Sequence, residues 1–138
     1  VGKGLNSAIE LVQEMGLGER VHFLGQRSDI PVLMRSALAT ILPSIQEGLS
    51  RSVMESLCLE VPVIGADIRG ISDLINNGGG ILVPVKSPEA LKSAMEWILD
   101  NPEAAREMGR RGRQLSAQYD MSHIMRLHED LYRELLSL

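Results

Sequence analysis

Apolar residues recur at two different periods along this chain. From Asn6 to Met15 the positions Ala8, Ile9, Leu11, Val12 and Met15 follow helical spacing, and Gly16-Leu17-Gly18 closes the segment. Short consecutive apolar runs then appear at Val21-His22-Phe23-Leu24, Ala39 to Leu42, Val61 to Gly65 and Ile81-Leu82-Val83. Runs of that length, bounded by glycine and turn residues, predict strands buried on both faces. Helical patterns separate them. One runs from a cap at Ser28 through about Leu38 with Pro31 in its first turn, one from Ser50 to Leu59, and a short one from Ile71 to Ile75. Ser87-Pro88 and Asn101-Pro102 each open a further helix, and Ile124, Leu127, Leu131 and Leu135 mark a last amphipathic one from about Ser122 to Leu136.

Strand followed by helix, repeated, predicts an α/β fold: a Rossmann-like doubly wound parallel sheet with flanking helices. The 138 residues suffice for one modest domain, and residues 1–138 are expected to form a single, partial one. Val1-Gly2-Lys3-Gly4 reads as the end of a strand and a glycine turn ahead of a helix, so a fragment of a longer protein is expected. A net charge of −4 gives no nucleic-acid footprint. No apolar run approaches the roughly 20 residues of a membrane-spanning helix. The one cysteine, Cys58, excludes an internal disulfide, fits a reducing compartment, and reads as a buried structural thiol.

The segment of greatest chemical interest follows the run Ala39 to Leu42. In Pro43-Ser44-Ile45-Gln46-Glu47-Gly48-Leu49-Ser50-Arg51-Ser52-Val53-Met54-Glu55 two carboxylates flank seven residues, with a helix between them and the next strand. Open α/β sheets bind ligands at the carboxyl ends of their strands, so acids placed there are candidates for ligand contact. The helix start near Ser50 offers free amides and a favourable dipole to an anion.

Glu47-Gly48-Leu49 to Glu55-Ser56-Leu57, then Val61-Pro62-Val63-Ile64 and Gly70, resembles the retaining glycosyltransferases of family 4, which have the two-domain GT-B fold. The likeness extends through Arg20 to Gly25, Pro43-Ser44, Gly79 to Pro84 and Pro88 to Leu91, nearly the whole chain. It implies the carboxyl-terminal, donor-binding domain of such an enzyme. Leu59-Glu60 stand where the family often has a small residue and a glycine, and Asp73 where it commonly has glutamate.

The resemblance implies roles. Glu47 would contact the hydroxyls of the transferred sugar and act as the catalytic carboxylate near the developing positive charge. Glu55 would take the ribose diol, since a carboxylate accepts two hydrogen bonds from vicinal hydroxyls. The diphosphate would lie against Gly48, Leu49 and Ser50, with Gly25 and Gln26 near the base and Gly2 near the nucleotide. Glu47 and Glu55 are expected to face one crevice. The implied partners are a nucleotide-sugar donor, an amino-terminal acceptor domain outside this chain, and a saccharide or lipid-linked acceptor. No resident metal or other cofactor is expected, and no nucleic acid. The location implied is cytoplasmic, with peripheral contact at the inner membrane face.

Other readings stand beside these. Glu55 also fits a helix ion pair with Arg51, worth about 0.3–0.5 kcal/mol, and Arg51 fits either that pair or a phosphate. A glycosidase would need the two acids to flank a single bond. Gly2-Lys3-Gly4 is a weak dinucleotide signal, which leaves a non-catalytic nucleotide- or dinucleotide-binding module as the alternative. His22, His123 and His128 make no metal set. Arg106, Arg110, Arg111 and Arg113, balanced by Glu103 and Glu107, read as a solvated face or a weak contact with an anionic membrane.

Overall fold

The structure, a computed structural model, describes residues 3–137. It divides into two compact units, one running to Ile30 and one from Pro31 onward.

The first unit is built on helix α1, Lys3–Glu14. Its exit is a Schellman turn. The Leu17 amide donates to Val12 O at 2.9 Å and the Gly16 amide to Gln13 O at 3.0 Å, with Gly16 at φ +67°. The expected strand Val21 to Leu24 does not form. The segment has no regular structure, and Val21, Phe23 and Leu24 are exposed by 38%, 40% and 52%. A strand exists only by pairing its amides and carbonyls with a neighbour, and this run joins no ladder among the described residues. Arg27 and Asp29 instead form a two-pronged ion pair at 2.7 and 2.6 Å nearby.

Helix α2, Ile30–Ser36, spans the division between the units and is shorter than its pattern predicted. Then come strand β1, Thr40–Leu42, helix α3, Arg51–Cys58, strand β2, Val63–Ala66, helix α4, Ser72–Ile75, and strand β3, Gly80–Val83. Helices α5, Pro88–Asp100, and α6, Pro102–Ser116, follow, then a turn of 3-10 helix and α7, Met121–Leu136. The sheet is parallel with order β1-β2-β3, and its register sets Thr40 beside Val63 and Val63 beside Gly80.

Helices cover both faces, as a doubly wound sheet requires. Val63 points to a core made with Val53 and Leu57 of α3 and Ile71, Leu74 and Ile75 of the α4 region. The next residue, Ile64, points the other way, to Val83, Ala94, Ile98 and Ala105. Alternation along one buried strand thus feeds two cores. Between α3 and the sheet the fully buried Ser56 hydroxyl sits 2.7 Å from Thr40 Oγ1 and 3.0 Å from Val61 O, so its burial leaves no bond unmade.

Helix α6 lies close against the α3 exit. A side chain at Gly109 would place its Cβ 2.0 Å from Glu60 O, and one at Gly112 would stand 2.7 Å from Leu57 Cδ2. Glycines in a basic stretch are therefore packing residues. The arginines there are largely engaged: Arg106 with Glu103, Arg110 with Glu107, and Arg113 with Cys58 O. Cys58 is exposed, with Sγ 3.5 Å from Ser116 Oγ, so it is not the buried thiol its apolar neighbours suggested. The α3 face turned to the core carries Val53, Ser56 and Leu57, and position 58 lies off that stripe. Among the described residues, no helix is long and apolar enough to cross a membrane.

Candidate functional site

The loop after β1 and the turn after β2 leave the sheet side by side, at the carboxyl ends of adjacent parallel strands. Between them is a cavity of about 470 Å³ lined by Glu47, Gly48, Leu49, Arg69, Gly70 and Asp73. That is the place where an open α/β sheet binds ligands.

One contact holds the two loops together. Gly70 has φ +86°, and a Cβ there would lie 1.5 Å from Gly48 O. No side chain other than hydrogen fits. The Gly70 amide donates to Asp73 Oδ2 at 3.3 Å, and its carbonyl accepts a long bond from the Ser50 amide at 3.5 Å. The α4 turn is thereby fastened to the start of α3. Tyr119 donates to Asp73 O at 3.3 Å, tying the 3-10 turn that follows α6 to the same place.

Glu47 is half-buried on the cavity wall. Its Oε1 accepts the Ser44 hydroxyl at 2.7 Å, which leaves Oε2 without a partner among the described residues. A carboxylate held by one oxygen and open at the other suits hydroxyl recognition. A Cβ on Gly48 would meet nothing within 4 Å, so the absent side chain keeps the cavity mouth clear. Leu49 is 54% exposed at the tip of the same loop.

Ser50 is placed differently from expectation. It is 4% exposed and does not line the cavity, and its amide is directed to Gly70 O rather than left free. Its hydroxyl lies 3.2 Å from Ser52 Oγ and makes no capping bond. Glu55 likewise does not share the crevice with Glu47. It projects from the solvent face of α3, where Arg51 stands 3.7 Å away, both side chains well exposed. Val53, Ser56 and Leu57 turn the opposite face to the core, and helical periodicity sets Glu55 away from them. Gly25, at φ +64°, and Gln26 belong to the first unit, and Gly2 lies outside the described residues.

Arg69 is the lining residue that the sequence did not single out, and Asp73 is one whose part was not visible. Asp73 stood in view as the acidic position after Gly70, but nothing in its spacing showed that its carboxylate would hold the Gly70 amide. Arg69 stood in a turn with no periodic pattern to orient it. The signal that finds them is Gly70, whose closeness to Gly48 brings the second loop to the first.

Among the described residues, no group of three or more His, Cys, Asp and Glu side chains is placed to hold a metal ion.

Comparison with known proteins gives consistent results. Residues 1–115 match the family model described as glycosyl transferases group 1. A D-rhamnosyltransferase, WbpZ of Pseudomonas aeruginosa, is 36% identical over 117 residues, covering 80% of this chain and 31% of that protein. An α-D-kanosaminyltransferase of Streptomyces kanamyceticus is 30% identical over 131 residues, covering 91% of this chain and 34% of that protein. The chain therefore spans about a third of the length of the curated relatives it matches. Among solved structures, sucrose-phosphate synthase of Thermosynechococcus elongatus superimposes with a TM-score of 0.87 and 31% identity, over 99% of this chain and 35% of that one. The HepE protein of Anabaena, solved in complex with UDP, shares the fold at a TM-score of 0.84 and 23% identity, over 97% of this chain and 37% of that one. Parallel sheet, strand-end cavity and a family match over most of the sequence agree: this chain belongs to the glycosyl transferases group 1 family.

Proposed function

We propose that this chain is the donor-binding part of a retaining glycosyltransferase of the GT-B class, one that moves a sugar from a nucleoside-diphosphate carrier to a saccharide or lipid-linked acceptor. The observation that carries the proposal is the Glu47 carboxylate. It lines a strand-end cavity beside the Gly48-Leu49 tip, with one oxygen held by Ser44 and the other open.

The chemistry follows from that arrangement. The open oxygen of Glu47 accepts hydroxyl hydrogens of the transferred sugar, and its charge opposes the positive charge that develops at the anomeric carbon. Electrostatic support of this kind is commonly the largest single contribution to catalysis. The diphosphate lies along the Gly48-Leu49 tip, near the start of α3. Glu55 sits five residues beyond Ser50, about 7.5 Å along the helix axis at 1.5 Å per residue. An extended nucleotide sugar is longer than that distance, so Glu55 takes the ribose diol outside the cavity, exchanging its weak surface pair with Arg51 for two hydroxyl donors. In the transfer, the anomeric carbon loses its bond to the leaving phosphate and gains one to the acceptor oxygen on the same face. The acceptor proton passes to the departing phosphate oxygen. Names of relatives support sugar transfer as the activity: a rhamnosyltransferase and a kanosaminyltransferase are both at least 30% identical to this chain.

Calorimetric titration with UDP, GDP and ADP, set against NAD, tests the reading. One of the three nucleoside diphosphates is expected to bind, and Glu55→Ala to weaken it about tenfold, the scale of a charge-assisted hydrogen bond. Binding of NAD alone would reject the proposal in favour of a dinucleotide-binding module.

A further inference from the structure

We infer that the Tyr119 hydroxyl is a positioning group for sugar transfer: it sets the turn that carries Asp73 and Gly70, and through them the loop that bears Glu47. The inference rests on the sugar-transfer reading of the cavity. A chain of contacts leads from the hydroxyl to the cavity wall. Tyr119 donates to Asp73 O at 3.3 Å. Asp73 Oδ2 accepts the Gly70 amide at 3.3 Å. Gly70 in turn packs on the first loop, where a Cβ would come within 1.5 Å of Gly48 O and 3.3 Å of Glu47 O.

The turn needs such a brace. Helix α4 is a single turn of four residues, too short to persist on its own hydrogen bonds. A helix that short is all ends, so its carbonyls depend on partners outside it. Ser72 O accepts the Asn76 amide at 3.0 Å, and Ile75 O accepts the Gly78 and Gly79 amides at 3.1 Å. Asp73 O takes the Tyr119 hydroxyl, from 46 residues along the chain. The inner side of α4 is anchored by Ile71, Leu74 and Ile75 in the core. Asp73 lies on the exposed side, where hydrogen bonds and not packing set the geometry.

Ring and hydroxyl of Tyr119 serve different ends. The ring packs against the buried cluster that includes Val53, Leu57 and Ile71, and phenylalanine would pack there equally well. Only the hydroxyl reaches the α4 backbone. Gly70 and Gly48 touch through their backbones, so a turn that drifts carries the first loop with it. Turnover responds steeply to such drift, since reacting groups must be held close to one geometry. Donor affinity responds less, because Glu55, which takes the ribose in this reading, stands on α3 outside the chain of contacts.

The test follows transfer by the full-length protein, as nucleoside-diphosphate release from a panel of UDP-, GDP- and ADP-sugars. Tyr119→Phe is expected to lower kcat about 2- to 10-fold, the scale of one hydrogen bond, with donor KM within about twofold. The Gly70 amide is expected to lose protection in hydrogen exchange by a like factor, while the Gly109 and Gly112 amides keep theirs. Asp73→Ala breaks the next link, so Tyr119→Phe added to it is expected to cause no further loss. Asp73→Asn, whose amide oxygen still accepts from Gly70, is expected to keep more turnover than Asp73→Ala. Full kcat in Tyr119→Phe would overturn the inference and leave the sugar-transfer reading intact. So would a loss that multiplies with that of Asp73→Ala, which would give Tyr119 a separate structural role, or a rise in KM at unchanged kcat. Equal losses in Asp73→Asn and Asp73→Ala would also overturn it, by assigning the effect to the Asp73 charge and not to its bond with Gly70. If the unaltered protein releases no nucleoside diphosphate from any of the panel, the sugar-transfer reading itself fails and takes this inference with it.

Discussion

The two ends of the parallel sheet use the same device for opposite purposes. At the carboxyl ends of the strands, Gly70 touches Gly48 O and holds two loops around a cavity of about 470 Å³. At the other end, Gly109 of α6 lies against Glu60 O and Gly112 against Leu57, and these contacts bring the helix down onto the exit of α3. In both places a missing side chain lets backbone meet backbone. The first contact shapes a cavity whose charged lining is Glu47, Arg69 and Asp73. The second lies beside a smaller cavity of about 250 Å³ whose charged lining is Arg35, Glu60 and Arg106. Close approach by glycine thus serves both ends, and the elements around it decide what each presents: two strand-end loops at the first, helix ends at the second.

Substitutions should separate the two ends. The largest effect is expected from Gly70→Ala, whose methyl would overlap Gly48 O at a backbone conformation L residues rarely adopt. The Glu47-Gly48-Leu49 loop must then move, and displacement of catalytic groups by about 1 Å costs on the order of 100-fold in rate. Transfer by the full-length protein measures it. Glu47→Gln is expected to lower the turnover by up to about 100-fold, at the lower edge of what a single transition-state contact contributes, with no change in melting temperature, because the amide oxygen still accepts from Ser44. At the packed end Gly109→Ala should behave in the reverse manner. It is expected to cost about 1–3 kcal/mol of stability by overpacking, read in denaturant unfolding, while nucleotide affinity stays within a few-fold.

A smaller gain is expected from Glu60→Gly. Glu60 closes α3 in the same way that Gly16 closes α1. Its amide bonds Leu57 O at 3.0 Å, the Val61 amide bonds Ser56 O at 3.0 Å, and φ is +62°. A glutamate in that left-handed conformation is strained by about 1–2 kcal/mol, so glycine should raise stability by about 1 kcal/mol in the same unfolding assay. The smallest effect lies at the start of α7. Asp120 accepts the Ser122 hydroxyl and amide, which holds its carboxyl below the ordinary range. Because the folded-state value is lowered, the contribution is complete above the ordinary carboxylate range and is lost as pH falls through the folded value. Protection of the Ser122 amide, its exchange relative to an unstructured chain at the same pH, is expected to fall in that acid window, and Asp120→Ala to show the same low protection at neutral pH.

Much of this was legible in the sequence because periodicity reports burial. Val61 to Gly65 and Ile81 to Val83 read as strands because residues on both faces are apolar, and the structure gives them two cores. Ser87-Pro88 and Asn101-Pro102 placed α5 and α6 through local chemistry alone. Val21 to Leu24 misled for the same reason that the others succeeded: an apolar run announces a wish to be buried, but a ladder also needs a partner, and composition says nothing of partners. At the site, the Glu47-Gly48-Leu49 segment was readable from its position between strand and helix. Glu55 was readable as a residue but not as a direction, because its place opposite Val53 and Leu57 on α3 emerges only when the buried stripe is known. Asp73 was readable as the acid after Gly70 but not as the partner of its amide, and Arg69 was silent, since its place on the cavity wall comes from a contact between loops more than twenty residues apart in sequence.

The central claim is that the cavity between the two loops receives a nucleotide sugar. Hydrogen exchange of the full-length protein, with and without the nucleoside diphosphate that binds best, addresses it directly. The account predicts slowed exchange at the amides of Gly48, Leu49 and Gly70, with the amides of Gly109 and Gly112 unchanged. Protection confined to other segments, with those three amides exchanging at the same rate in both states, would contradict it.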